Sequence, residues 1–251
     1  MQKQLHFRWL TLLQKQAQGV SCGMASRIFI FFTCIWAVAA PACAGEYAAH
    51  WSDVAPQLDG SFNEDAWQRA QSLTQFHTWR GGETDARQWR MLWCEDGLYF
   101  AAIIHDADIQ AFGSRHNDTL WHGDVIELFL RPDAARPGYY EFQVNPKGQQ
   151  LEFFIAARGA AFEQLQAQPP LGMRSVAVKI PGGWQVEGSI PWGAFSETGG
   201  IPEPGDAWRF NVAYFDHDRD RKEAQLGASA ALNKPDFHRT EEYDTLRFLL
   251  P

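Results

Sequence analysis

The chain has 251 residues, 45% of them hydrophobic, with 22 Lys and Arg against 30 Asp and Glu. That is enough apolar material for a large core without staples. The net charge of −8 argues against nucleic acid or an anionic membrane surface as a partner.

Residues 28–40 form an apolar run, preceded by Arg27 and followed by Pro41-Ala42-Cys43-Ala44. A basic residue, a short apolar stretch and a small-x-small end define a secretory signal peptide over residues 1–44. The run falls short of the roughly 20 residues that a membrane span needs, and the mature chain contains no span of its own. Cleavage after Ala44 leaves Gly45 first and places the protein in the periplasm or outside the cell. A lipid anchor on Cys43 ranks second, because Ala40-Pro41-Ala42 is a poor approach to a lipidated cysteine. The start is either Met1 or Met24. Four Lys and Arg and no Asp or Glu precede Gly45, so residues 45–251 carry 18 basic against 30 acidic side chains. Of the four cysteines only Cys94 lies beyond the leader, which excludes an internal disulfide in the mature chain.

Residues 45–251 read as one domain, with no linker-like tract and no repeat. Asp59-Gly60 is a turn signal, and Asn63 is placed to cap a short helix carrying Glu64, Asp65 and Trp67. Strands follow over 88–94 and 98–105, joined by a turn at Glu95-Asp96-Gly97. Further strands are expected over 124–130, 139–145, 151–157, 174–180, 184–190, 207–215 and 244–250, with one helical turn at 192–195. Many short strands between turn residues predict an all-β fold. The expected form is an antiparallel β-sandwich, immunoglobulin-like or jelly-roll-like, with one or two short helices.

In the strand from Asp124, Ile126, Leu128 and Leu130 point one way and Val125, Glu127 and Phe129 the other. Glu127 is a carboxylate in an apolar strand and needs a partner. Pairing Leu130 with Tyr140 sets Glu127 opposite Gln143 and Val125 opposite Asn145. Glu127, Gln143 and Asn145 then share the non-core face, with Trp121 just above. An aromatic plate over hydrogen-bonding groups suits a sugar. The plain alternative is that Trp121 covers the end of the sandwich and Glu127 pairs with a structural Arg or Lys.

The order of motifs resembles the family 9 carbohydrate-binding modules. The matching pieces begin with Leu58-Asp59-Gly60, Glu64 and Trp67, then Asp96-Gly97-Leu98-Tyr99 and His105-Asp106. Trp121 with Asp124 to Phe129 comes next, followed by Tyr140, Phe142, Val144 and Asn145. Gly183 to Glu187 with Ile190-Pro191-Trp192, then Arg209-Phe210-Asn211, then Phe237 through Tyr243 to Leu246-Arg247-Phe248 complete the order. The resemblance implies non-catalytic binding of a saccharide or polysaccharide chain end, in association with carbohydrate catabolism. It implies a clamp of two aromatic side chains, Trp121 and Phe237, with polar contacts from Glu127, Gln143 and Asn145. Phe237 stands where sugar-binding members have Trp, and Gln143 where they have Arg. Structural calcium is also implied, with Asp106 as a ligand and Asp108 as a neighbour able to complete the site, against a plain solvated loop. No organic cofactor is expected.

Two other classes stay open. Glu127 and Glu141 could approach the carboxylate pair of an O-glycosyl hydrolase, although no other catalytic motif is present. A haem-binding or electron-transfer sandwich would need an axial ligand such as Met91 or Met173, for which core packing is the simpler role. Asp216 to Arg221 is the densest charged run and reads as a solvated loop. For export, N-terminal sequencing of secreted material should read Gly-Glu-Tyr-Ala; a lipid-modified Cys43 found by mass spectrometry would replace this reading with an anchored protein.

Overall fold

The computed structural model describes residues 45–79 and 87–251. The apolar run 28–40, the expected cleavage site and Cys43 lie outside the described residues. The strands in chain order are β1 (Glu46–Trp51), β2 (His77–Thr78), β3 (Arg87–Trp93), β4 (Gly97–His105), β5 (Val125–Arg131) and β6 (Tyr139–Val144). They continue with β7 (Gln150–Ile155), β8 (Arg174–Ile180), β9 (Gly183–Pro191), β10 (Ala207–Asp216), β11 (Gln225–Ala228) and β12 (Asp244–Leu249). Two short helices, α1 (Asp65–Arg69) and α2 (Phe162–Gln166), accompany single 3-10 turns at Leu120–His122, Trp192–Phe195 and Thr240–Glu242. The fold is all-β.

Ten strands pair in one path, β7-β6-β5-β10-β12-β1-β3-β4-β9-β8, and β11 and β2 extend from β10. Pairing is antiparallel except at β1, which runs parallel to both β12 and β3. The join to β3 is thin, with only His50 to Leu92 and Trp51 to Trp93 in register. The β5–β6 register sets Leu130 against Tyr140 and Glu127 against Gln143, the pairing that puts the aliphatic sets of both strands on one face.

That face belongs to the main core. Ile126, Leu128, Phe142 and Val144 pack there in one cluster with Trp89, Met91, Phe100 and Val186 from the other half of the sheet. Met91 and Met173 are both buried within it. The opposite face of β5 and β6, expected to be polar, is also covered. Val125, Phe129, Tyr139, Phe153, Phe237 and Tyr243 form a second cluster, against which Phe162 and Leu165 of α2 pack. Every residue of β6 is buried as a result.

Several motif residues prove to hold the fold. Glu187 of β9 is fully buried. Its Oε2 accepts from the backbone N–H groups of Gly60 at 2.8 Å and Ser61 at 3.1 Å, and its Oε1 from Trp67 Nε1 at 2.8 Å. With the Asp59 N–H, which also reaches Oε2 at 3.3 Å, one carboxylate thus serves four donors that burial would otherwise strand. Gly60 has φ +83°, and a Cβ there would meet Val178 Cγ1 at 2.7 Å, so both backbone and space require glycine. Helix α1 begins one residue later than the sequence suggests. Glu64, not Asn63, stands at its N-cap, and no side chain caps it; burial of Trp67 and its bond to Glu187 replace the cap.

Candidate functional site

Strand pairing brings three polar side chains onto one floor. Glu127 of β5 lies opposite Gln143 of β6, and Glu141 lies two residues before Gln143 on the same face. Gln143 Nε2 donates to Glu127 Oε1 and to Glu141 Oε1, both at 2.6 Å. The three side chains are 2%, 1% and 6% exposed for Glu127, Gln143 and Glu141. The partner of Glu127 is therefore a neutral amide, not the Arg or Lys of the plain alternative. Gln143 Oε1 is buried with no hydrogen-bond partner. Burial pushes both carboxyl groups above the usual range, and Glu141 pushes Glu127 further.

Above this floor is a cavity of about 430 Å³, within the range of roughly 300–1,000 Å³ usual for small-molecule sites. Trp121, Phe215 and Phe237 line it together with Tyr139, Phe153 and Phe162. Trp121 is partly exposed, and its ring meets Phe162 edge-on at 5.2 Å. Phe237 is only 6% exposed, wedged among Trp79, Phe129 and Phe215 at 5.8, 6.3 and 5.4 Å. His238 Nδ1 is hydrogen-bonded with the Tyr139 hydroxyl at 2.9 Å at the same cavity wall.

The turn that presents Trp121 is fixed from below. His217 Nε2 bonds the Trp121 carbonyl at 3.0 Å, and the His217 N–H donates to Asp124 Oδ1 at 2.7 Å. The Gln110 N–H donates to the other oxygen of Asp124, and the Asp124 N–H returns to Gln110 O at 2.9 Å. Gly123 permits this close approach, since a Cβ there would lie 2.3 Å from Gln110 O.

The structure thus gathers Trp121, Glu127, Gln143 and Phe237 around one cavity. Asn145 does not line it. Its Nδ2 donates to Phe112 O and Gln149 Oε1, and its Oδ1 accepts from the N–H groups of Lys147 and Gln149. It sits just past the end of β6 and organises the turn into β7. Asp106 lies elsewhere, after β4, with its Oδ1 accepting the Asp108 N–H at 2.8 Å. Its carboxyl faces that of Asp124, whose pKa is pushed up to about 7, first by burial and then by Asp106. Asp108, expected to complete a cation site, is instead engaged by Arg219 at 2.9 Å and by Gln110 at 2.7 Å. Among the described residues no cluster of three His, Cys, Asp or Glu side chains is arranged for a metal. Arg219 and Arg221 of the charged run make exposed ion pairs with Asp108 and Asp218.

Tyr139, Phe153, Phe162, Phe215 and His238 were not singled out in the sequence as site residues. Tyr139 and Phe215 sit on the same faces as Glu141 and Ala213, the latter opposite Glu127, so alternation could have found them. Phe162 could not be found this way, because α2 carries no capping signal.

The chain belongs to the family described as carbohydrate family 9 binding domain-like, whose model matches residues 58–248. The endo-1,4-beta-xylanase A of Thermotoga neapolitana is 28% identical over 165 residues, which is 62% of this chain and 14% of that enzyme. The chain therefore spans only about a seventh of the length of this curated relative. Two solved structures of a family 9 carbohydrate-binding module from Caldicellulosiruptor kristjanssonii share the fold. One, in complex with cellotriose, has a TM-score of 0.64 at 15% identity, covering 82% of this chain and 94% of that one. The other, in complex with glucose, has a TM-score of 0.62 at 16% identity, covering 81% and 96%.

The raised carboxyl groups set the pH dependence of stability. Asp124, Glu127 and Glu141 bind protons more tightly folded than unfolded. Their stabilisation is complete below the unfolded value near 4 and is lost as pH rises through the folded values, about 7 for Asp124. The melting temperature should therefore fall by several degrees between pH 5.5 and 8. Glu141→Gln should flatten the slope; a melting temperature that rises over this interval would contradict the assignment.

Proposed function

We propose that this chain is an exported, non-catalytic carbohydrate-binding module that holds a saccharide chain end between Trp121 and Phe237. The observation that carries the reading is a single cavity with aromatic walls and a buried hydrogen-bonding floor. A pyranose has C–H groups on its faces and hydroxyls at its edge, so it meets aromatic walls and a polar floor with matched chemistry. The family membership and the cellotriose and glucose bound by the Caldicellulosiruptor module point the same way. Glu127 and Glu141 bond one amide nitrogen from the same floor, whereas hydrolysis needs carboxyls flanking the scissile bond; this favours binding over catalysis. We read the shared core as two half-sheets packed face to face in a sandwich, and we place the protein in carbohydrate catabolism through partners. Export rests on the leader pattern of residues 1–44.

A structural calcium at Asp106 belongs to the same proposal. Asp106 with Asp124 is the oxygen pair suited to it, because a hard cation relieves the repulsion that drives Asp124 upward. Chelator should then lower the melting temperature of the wild type but not of Asp106→Ala; identical melting curves with chelator and with excess calcium would count against it.

For the clamp, calorimetry with glucose and cellobiose is the test. Trp121 is partly exposed, so Trp121→Ala should fold normally yet weaken binding at least about tenfold through lost stacking area. Phe237→Ala should weaken binding too, with some loss of stability because Phe237 is packed on three rings. Unchanged affinity in a folded Trp121→Ala variant would sink the clamp.

A further inference from the structure

The floor of the cavity is built almost wholly of acceptors. The Gln143 amide has two N–H groups, and they are spent on Glu127 and Glu141. Gln143 Oε1 lies buried and unpartnered in this floor, beside two carboxyl groups whose residues line the cavity. No Lys or Arg lines the cavity among the described residues, and Asp236 adds a third acid. Charged groups on the neighbouring elements do not balance this. Among the described residues His238 is the one basic lining residue; it is hydrogen-bonded with the Tyr139 hydroxyl through Nδ1 and only partly offsets the upward shift of Glu141. Arg158, just before the lining residues Gly159 and Ala160, is engaged by Glu241. Two buried carboxyl groups without a cation are a costly arrangement, relieved either by taking up protons or by pairing with positive charge.

We propose that the cavity selects an amino sugar, a hexosamine with a free ammonium group, seated with that group on Glu127, Glu141 and Gln143 Oε1. The inference rests on the saccharide reading and names the class of sugar. An ammonium brings three donors and one positive charge to a site with acceptors and, among the described residues, no Lys or Arg. A neutral hydroxyl brings one donor, and an N-acetyl group brings one donor, no charge and added bulk. The rings of Trp121, Phe215 and Phe237 suit both parts of the ligand, its C–H faces and its cation. The upward shift of both carboxyl groups agrees with a floor that gains on meeting positive charge.

The test is calorimetry on the full chain at pH 6.5 with glucosamine and galactosamine, each against its neutral parent sugar and its N-acetyl form. At least one amine should bind about tenfold or more tighter than both counterparts, the gain expected of a charge-assisted contact. Glu141→Gln, which removes one acid, and Gln143→Arg, which supplies a cation, should each bring that ratio close to one. Melting curves check that the variants fold. Should they not, the wild type still decides: added salt should weaken the amine and leave the neutral sugar unchanged. Equal affinity for amine and parent sugar would overturn the amino-sugar inference while leaving a saccharide site in place. Binding of none of the six would overturn the saccharide reading and this inference with it.

Discussion

The proposed binding face depends on one arrangement: two carboxyl groups buried on a single amide nitrogen, with no Lys or Arg among the described residues lining the space above them. In water the Glu127–Gln143–Glu141 set would scatter, because like charges repel and each oxygen finds solvent. Strand pairing prevents this. Glu127 and Gln143 are locked in register across β5 and β6, and Glu141 shares a face with Gln143. The second apolar cluster then seals the set from water on all sides but the cavity. Both donors of the Gln143 amide are used up inside the floor, and its carbonyl oxygen is left buried without a partner. A polar network satisfied only in part is destabilising in an empty protein and is a recognition element in a ligand site.

The rest of the molecule makes that floor rigid. Trp121 does not sit on a loose loop, since His217, Gln110 and Asp124 pin the turn and Gly123 lets two backbones close on one another. On the far side of the sheet, Glu187 ties Gly60, Ser61 and Trp67 to β9. Sites held within a fraction of an ångström by locked side chains bind with less ordering cost.

The strands with strong alternation were legible, and so was the β5–β6 register, because a one-residue slip would have turned Ile126, Leu128 and Leu130 out of the core. Strand β1 was missed. Glu46–Trp51 forms through parallel pairing, mainly with β12 about two hundred residues away in sequence and at its end with β3. Strand β11 is four residues long and follows a charged run, and α2 has no side-chain cap. At the site, alternation located Glu127 and Gln143 but also grouped Asn145 with them. It could not register that β6 ends at Val144, so that Asn145 turns to bond Phe112 and Gln149 instead. Alternation likewise suggested an open polar face, whereas aromatic residues from α2 and from 215–243 cover it, an effect of tertiary packing that no local pattern encodes. The motifs that carried the family likeness divide in the same way. Gly60, Trp67 and Glu187 hold the fold, and Trp121, Glu127 and Gln143 line the cavity proposed to take the sugar.

The central claim is that one cavity, walled by Trp121 and Phe237 and floored by Glu127, Gln143 and Glu141, is where a saccharide binds. The most direct measurement is a crystal structure of this chain grown with a bound sugar. The sugar should lie in this cavity, with a ring face on Trp121 and a polar substituent within hydrogen-bond distance of Gln143 Oε1. A sugar ordered elsewhere on the molecule, with this cavity filled only by water, would contradict the claim.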